Sequence, residues 1–316
     1  MAVTLQQAKL NVTDDLQRGI IDEFAKSSFL MNNIPFHDCV SPVGGGGTLT
    51  YGYTRLITQP TADFRAINAE YTPHEVQKQR YVTDLKVLGG SYEVDRVIAD
   101  MGGIADEVAL QASQKVKAVS ALFSDTIING DSATNALAFD GLNVAVTGTS
   151  TEYTPDAAVD LSTSDAVDAN YKKFVDLLDE WTSEMDGIDA YLCNSKMLAK
   201  FRAIARRMGQ YQETKNEFGQ KVEYFGGVPF VDLGAKAGSN DPIVAINGGV
   251  TSIYAVKFGV ADGFHAISMA GQAPVRTWLP DFSTPGAVKK GEVEMIAGCA
   301  LKSTKAAGAF RNIKVQ

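Results

Sequence analysis

The chain has 316 residues, 45% hydrophobic and 21% charged, a globular balance with room for one large or two modest domains and no signature of disorder. Its formal net charge of -8 argues against a whole-chain nucleic-acid reader, which carries a basic excess. No apolar run reaches the roughly 18 residues of a membrane span, and the polar start MAVTLQQAKLNVTDDLQRGI lacks a signal-peptide core.

Residues 4–31 carry Leu5, Leu10, Leu16, Ile20, Phe24 and Leu30 at roughly helical spacing, which predicts an amphipathic helix in short pieces. NIPFHDCVSPVGGGG then breaks the pattern. Gly44 to Gly47 have no side chains to pack and read as a hinge. They are not a phosphate cradle, because a strand-like TLTYGYT follows instead of a helix with a placed lysine.

Segments 48–58 and 74–88 are rich in β-branched residues and tyrosine and predict a long hairpin, with QPTADFRAINAEYTP as its tip. Lys78, Arg80 and Lys86 share a face with Val76 and Val82, so the ribbon cannot bury one clean face in its own chain. It is either a bare surface hairpin or an arm that contacts something else. On the second reading the candidate contacts are Arg55, Phe64, Arg65, Tyr71, Lys78, Arg80 and Lys86.

From Ile104 to Ile128 apolar residues recur in steps of three and four, which predicts a rod of about 37 Å. Val108, Ala112, Val116, Val119 and Phe123 are its expected core stripe, facing a sheet built largely from C-terminal strands. Asn129-Gly130 is the stop signal. A polar connection is expected over 148–170, followed by a helix over 171–185, a buried strand over 188–193, and a helix from Ser195 to about Met208. YFGGVPFV suggests a hairpin turn, DPIVAINGG and TSIYAVKFG suggest strands, and Arg276 to Gln316 reads as mostly strand.

Catalytic chemistry is scarce. Cys39, Cys193 and Cys299 form no zinc or redox spacing and read as packed thiols. His37, His74 and His265 fit no metal motif, and no serine sits in a GxSxG elbow. Asp179, Glu180, Glu184 and Asp186 stand at helical spacing beside Trp181, as on a solvated helix face. No catalytic, cofactor or metal residue is therefore assigned. Only 268–316 is basic, through Arg276, Lys289, Lys290, Lys302, Lys305, Arg311 and Lys314. It could attract DNA without regard to sequence. It could equally pair with an acidic neighbouring subunit, which is slightly favoured.

The order of parts, together with FLMNNIPF, FRAINAEY, SYEVDRVIAD, LFSDTIINGD, FDGL and YFGGVPFV, resembles the major capsid proteins of tailed bacteriophages (the HK-ninety-seven type) over essentially the whole chain. The resemblance implies an α+β fold. Residues 1–44 would be an N-terminal arm and 45–92 an extended β-hairpin loop. Residues 93–150 with 268–316 would form a peripheral domain on a spine helix, and 151–267 an α/β axial domain. It implies a non-enzymatic subunit made in the host bacterial cytoplasm. This subunit would self-assemble as pentamers and hexamers into the icosahedral virion shell around double-stranded DNA, with a portal, a decoration protein in some members, and no membrane. Some members begin with an internal scaffold segment. Here Met1 leads directly into the arm, so a separate scaffolding protein is implied. No local phrase identifies the partners of the lysine–asparagine cross-link known in some members. An encapsulin-like compartment shell is the alternative, and a soluble α/β enzyme a more distant one.

Overall fold

The computed structural model describes residues 29–40, 49–101, 106–209, 214–215, 221–271 and 273–316. Most of the helical arm, the glycine run and Ile104 lie outside them.

Helix α1 (Phe29–Asn33) leads into strand β1 (Phe36–Val40), which the sequence reading treated as an irregular break. β2 (Thr50–Leu56) and β3 (Lys78–Asp84) pair antiparallel as a two-stranded ribbon. β4 (Lys86–Asp95) continues from β3 but belongs elsewhere. It pairs antiparallel with the 14-residue β14 (Val288–Leu301), which also pairs with β12 (Phe264–Met269) and β13 (Val275–Trp278). β1 completes this five-stranded sheet by pairing parallel with β12. The expected loop of 45–92 is therefore shorter on its return side: Lys86 onward is sheet.

After helix α2 (Arg96–Asp100) comes α3 (Glu107–Asn129), the predicted rod. Asp106 caps it by accepting from the Val108 and Ala109 amides at 2.9 and 3.3 Å, satisfying donors that the first turn leaves free. Val119 and Phe123 are buried, with Ile127 and Ile128 beyond them. Val108 and Ala112 are half-buried, and Val116 is 38% exposed. The stripe is thus corrected at Val116. There Lys115 turns toward the sheet, and its apolar stem covers Gly90 of β4, as long cationic side chains can do while keeping the charge in water.

The end of α3 explains two phrases. Gly130 closes the helix through its amide to Thr126 O at 2.8 Å, and Gly141 bonds back to Gly130 O at 2.9 Å. A β-carbon at Gly130 would stand 2.2 Å from Phe139 O, and one at Gly141 2.5 Å from Thr126 O. Only glycine allows this close backbone approach. Asp131 and Asp140 then accept loop amides, and α4 (Leu142–Val146) follows.

The second sheet has eight strands. β5 (Glu152–Tyr153) and β6 (Val159–Asp160) pair with β15 (Ala307–Lys314). The order continues through β11 (Val250–Val256), β7 (Ala190–Cys193), β10 (Val228–Asp232), β9 (Lys221–Phe225) and β8 (Thr214–Lys215). The tail is therefore divided: β13 and β14 serve the first sheet, but β15 returns to the second, contrary to the single 268–316 block expected. Segment 241–249 is not a strand. Gly248 and Gly249 at φ 59° and 81° turn the chain so that Asn247 and Val250 exchange backbone bonds.

Helix α5 (Ser164–Ser183) starts inside the expected polar connection, where Thr163 caps it through Ala166 N. Helix α6 (Ser195–Arg207) is capped by Asn194, not by Ser195. Both helices cover one face of the second sheet, where Phe174, Leu178, Trp181, Phe201 and Ile204 meet Tyr191, Phe230, Ile253 and Phe310. The other face, through Leu192, Tyr254, Val256 and Ala309, joins Phe123, Ile127 and Leu142 and runs on to Val293 and Met295 of β14. A sheet buried on both faces reads as short apolar runs, as β7 and β11 do.

Candidate assembly surface

The β2–β3 ribbon is seated at one end and bare at the other. At its base Tyr51 and Tyr53 pack with Leu85, Ile267, Met269, Ile296 and Ala300. The Tyr53 hydroxyl donates to Leu301 O at 2.9 Å, and burial raises its pKa against the opposing pull of Arg55. Arg55 donates from Nε to Lys302 O at 2.9 Å and from Nη2 to Leu301 O at 2.6 Å. Its guanidinium also lies 4.4 Å from the Tyr81 ring centre, a cation–π contact. Arg55 is thus an internal anchor of the ribbon, not a free group awaiting a neighbour.

The other polar candidates divide. Lys86 donates to Ala136 O at 3.1 Å and lies 4.0 Å from Asp84, so it too is engaged within the chain. Arg80 lies across Gly52, where a β-carbon would stand 3.0 Å from its Nη2. Lys78 is exposed on β3.

The tip, residues 57–77, has no regular strand. Arg65 folds back on it, with Nη1 3.2 Å from Ala69 O and its charge 5.4 Å from the Tyr71 ring centre. Asn68 takes φ 66°, which asparagine tolerates better than most residues. His74 and Asp63 approach to 3.3 Å across the tip. This order presents apolar side chains outward: Phe64 is fully exposed, Ile67 is 91% exposed, and Leu56 and Tyr71 are largely exposed. Their phrase was visible in the sequence. Ile67, exposed three positions after Phe64, is not among the candidates, although an apolar residue in a polar loop is the signal that marks it.

A second exposed apolar group lies at the far end of the first sheet. Val97, Ile98 and Met101 of α2 and its end stand exposed, as does Val288 at the start of β14. The two elements meet where Arg96 N bonds Ala287 O at 2.9 Å. Scattered exposed apolar side chains are ordinary, but grouped ones mark contact surfaces.

The basic tail is partly neutralised. Arg311 pairs with Glu152 at 2.5 Å, Lys314 with Asp160 at 3.2 Å and Lys290 with Glu292 at 2.8 Å. Hydrogen bonds from Ser162 and then Lys314 hold the Asp160 carboxyl down at about 2. These pairs leave less free charge for DNA than the sequence count implies.

Chemistry elsewhere is sparse. Among the described residues no group of three or more His, Cys, Asp or Glu side chains could hold a metal ion. Cys193 and Cys299 are buried, and burial pushes both thiols up, Cys299 to about 12. A groove of about 790 Å³ runs beside Lys196, Asp232, Asp241, Asn247 and Gln316. It is open, and burial raises the Asp232 carboxyl there. No helix of the described residues is long and apolar enough to cross a membrane.

No protein-family model and no curated protein matches the chain. Solved structures do. The chain is similar to the holo-SrpI encapsulin complex from Synechococcus elongatus, at TM-score 0.64 and 15% identity, over 99% of this chain and 97% of that one. It is similar to the capsid of a native gene transfer agent particle, at TM-score 0.63 and 15% identity, over 99% of both chains. It also matches a Gordonia phage Cozz structure, at TM-score 0.61 and 10% identity, over 98% of this chain and 95% of that one. At these identities the likeness is one of fold. The described residues have the α+β capsid fold of the HK-ninety-seven type.

Proposed function

We propose that the chain is a structural shell subunit that closes with copies of itself around a cargo, and that it is the head subunit of a tailed phage enclosing double-stranded DNA. The observation that carries the reading is the ribbon. It is anchored at its base by Arg55 and Tyr53 and extends a tip whose Phe64 and Ile67 no described part of the same chain covers. Burying such groups is favourable by about 1.5–3 kcal/mol per large apolar side chain, which favours a partner surface over the tip. A neighbouring copy supplies one in any repeating shell, through heterologous contacts that close into rings. The full-length likeness to capsids supports this partner over an unrelated protein.

On this reading 49–84 is the extended loop, the first sheet with α3 the peripheral domain, and the second sheet with α5 and α6 the axial domain. A scaffolding protein and a portal are the companions that the phage reading calls for. The encapsulin likeness favours a second reading, a compartment shell holding protein cargo. Particles isolated from producing cells and treated with nuclease separate the two. Protected double-stranded DNA is expected for a phage head. Particles that contain a cargo protein and no nucleic acid establish the compartment.

A further inference from the structure

Beneath the base of the ribbon lies a group of rings that packing alone does not explain. His265 on β12 is wholly buried, and among the described residues neither ring nitrogen reaches good hydrogen-bond geometry, although the Gly263 and Gly259 backbones stand close enough to act on it. His37 on β1 is half-buried, and its Nδ1 is likewise buried without a partner. The two imidazoles stand side by side, 5.7 Å between ring centres. Tyr51 of the ribbon sits edge-on to both, at 5.6 Å from His37 and 6.1 Å from His265. Tyr51 in turn packs near Tyr53, and Tyr53 stacks on Tyr81, so these rings continue into both strands of the ribbon.

The charges facing this group are positive. Lys302 at the end of β14 places Nζ 5.9 Å from the Tyr51 ring centre while donating to Val260 O at 2.6 Å. Arg55 stands on the next turn of the ribbon face, bonded to the carbonyls of Leu301 and Lys302. Carboxylates on the surrounding elements are engaged elsewhere: Asp38 accepts from Gly271 N at 2.8 Å, Asp84 from Thr50 Oγ1 at 2.8 Å, and Asp262 pairs with Lys257 at 3.0 Å. A proton added to His265 therefore meets Lys302 and His37, and each of these nearby carboxylates already has another partner. Burial holds His265 neutral down to about 4; the Gly263 backbone is the largest influence opposing it, and Lys302 and His37 add smaller contributions in the lowering direction. An unpartnered buried polar ring is costly to keep and is stable only while neutral.

We propose that the His37–His265 pair is an acid-sensitive latch that seats the β2–β3 ribbon on the first sheet through Tyr51. Neutral imidazoles let the Tyr51 ring close over them. A proton on the pair turns the seat into a cluster of like charges, which is relieved by lifting Tyr51 and letting water reach the imidazolium. The ribbon then swings or frays from its base, while the second sheet, whose core under α5 and α6 is a separate cluster, stays closed. Histidine is the side chain suited to such a change in mildly acidic conditions.

Hydrogen exchange of the full chain, followed by mass spectrometry and expressed as protection factors at pH 7 and pH 5, tests the latch. Protection over 49–56 and 78–84 is expected to fall at least tenfold at pH 5 while that over 250–256 holds. His265→Phe, which fills the site with a ring that cannot be charged, is expected to keep the ribbon protected at both pH values. His37→Phe, at the half-exposed member, gives the same reading without altering the deepest position. Ribbon protection that does not change with pH in the wild-type chain overturns the proposal. So does an equal acid loss in a folded phenylalanine variant. If neither variant folds, the wild-type comparison of ribbon against second sheet still decides, since loss in both together means general acid unfolding and no latch.

Discussion

Lys115 of α3 lies across Gly90 of β4: a β-carbon at Gly90 would stand 3.0 Å from Lys115 Cδ and 3.4 Å from its Nζ. With Lys115 on the sheet side, Val116 is 38% exposed and the buried role falls to Val119, Phe123 and Ile127, one, two and three turns later.

The helix phase predicts a contrast. Phe123→Asp forces a carboxylate into a fully closed core and costs several kcal/mol, a large part of the about 5–15 kcal/mol that holds a typical domain. It should give insoluble or unfolded chain. Val116→Asp should leave a folded subunit with a melting temperature near wild type. Thermal melts followed by circular dichroism check both. A Val116→Asp chain that unfolds while Phe123→Asp melts normally would reverse the assigned faces.

The glycines that close α3 make a second test. Gly130→Ala or Gly141→Ala drives a methyl group against backbone oxygens that cannot rotate away. Each is expected to lose about 2 kcal/mol or more. Gly148→Ala, at positive φ but in open space, should lose only about 1 kcal/mol. Urea unfolding of the three variants ranks them. Equal midpoints for Gly141→Ala and wild type would show that the loop is looser than described.

What could be read in the sequence depended on period and on local turn chemistry. The rod, the ribbon, β7 and the two-residue Gly226-Gly227 turn between β9 and β10, at φ 57° and 83°, all carry local signals. Pairings between distant segments carry none. β1 with β12, and the departure of β15 from its neighbour β14, follow from which apolar faces remain to be covered. The half-buried stem of Lys115 takes a sheet-facing place that the apolar spacing assigns to Val116, because a charged side chain can cover apolar surface with its stem. Arg55 and Lys86 look free as letters, and only the fold brings Leu301, Lys302 and Ala136 carbonyls to them. The histidine pair was invisible for the same reason: 228 positions of sequence separate two rings that β1 and β12 place side by side.

Acid stability follows from His265. Its folded pKa of about 4 lies below the ordinary 6.5, so the unfolded chain binds the proton more tightly. The folded state keeps its full stability above about pH 6.5 and loses it progressively as pH falls toward about 4, by up to about 3 kcal/mol. His265→Phe should flatten that limb in urea titrations between pH 7 and pH 4. A limb of unchanged slope would assign the loss to other groups.

The two buried thiols should be silent. Cys193 and Cys299 are closed to solvent and held as thiols, so iodoacetamide at pH 8 should leave both unmodified in the folded chain and label both in denaturant. Peptide mapping reads the outcome. Rapid native labelling of Cys193 would mean that the second sheet opens where the core is described as closed.

Electron microscopy of the chain isolated from the cells that produce it tests the shell assignment most directly. Hollow closed particles, or rings of five and six copies, are expected for the wild type. Folded but unassembled subunits are expected for the double variant Phe64→Asp, Ile67→Asp at the ribbon tip. A wild-type chain recovered only as a monomer would contradict the assignment, and so would normal shells from the tip variant.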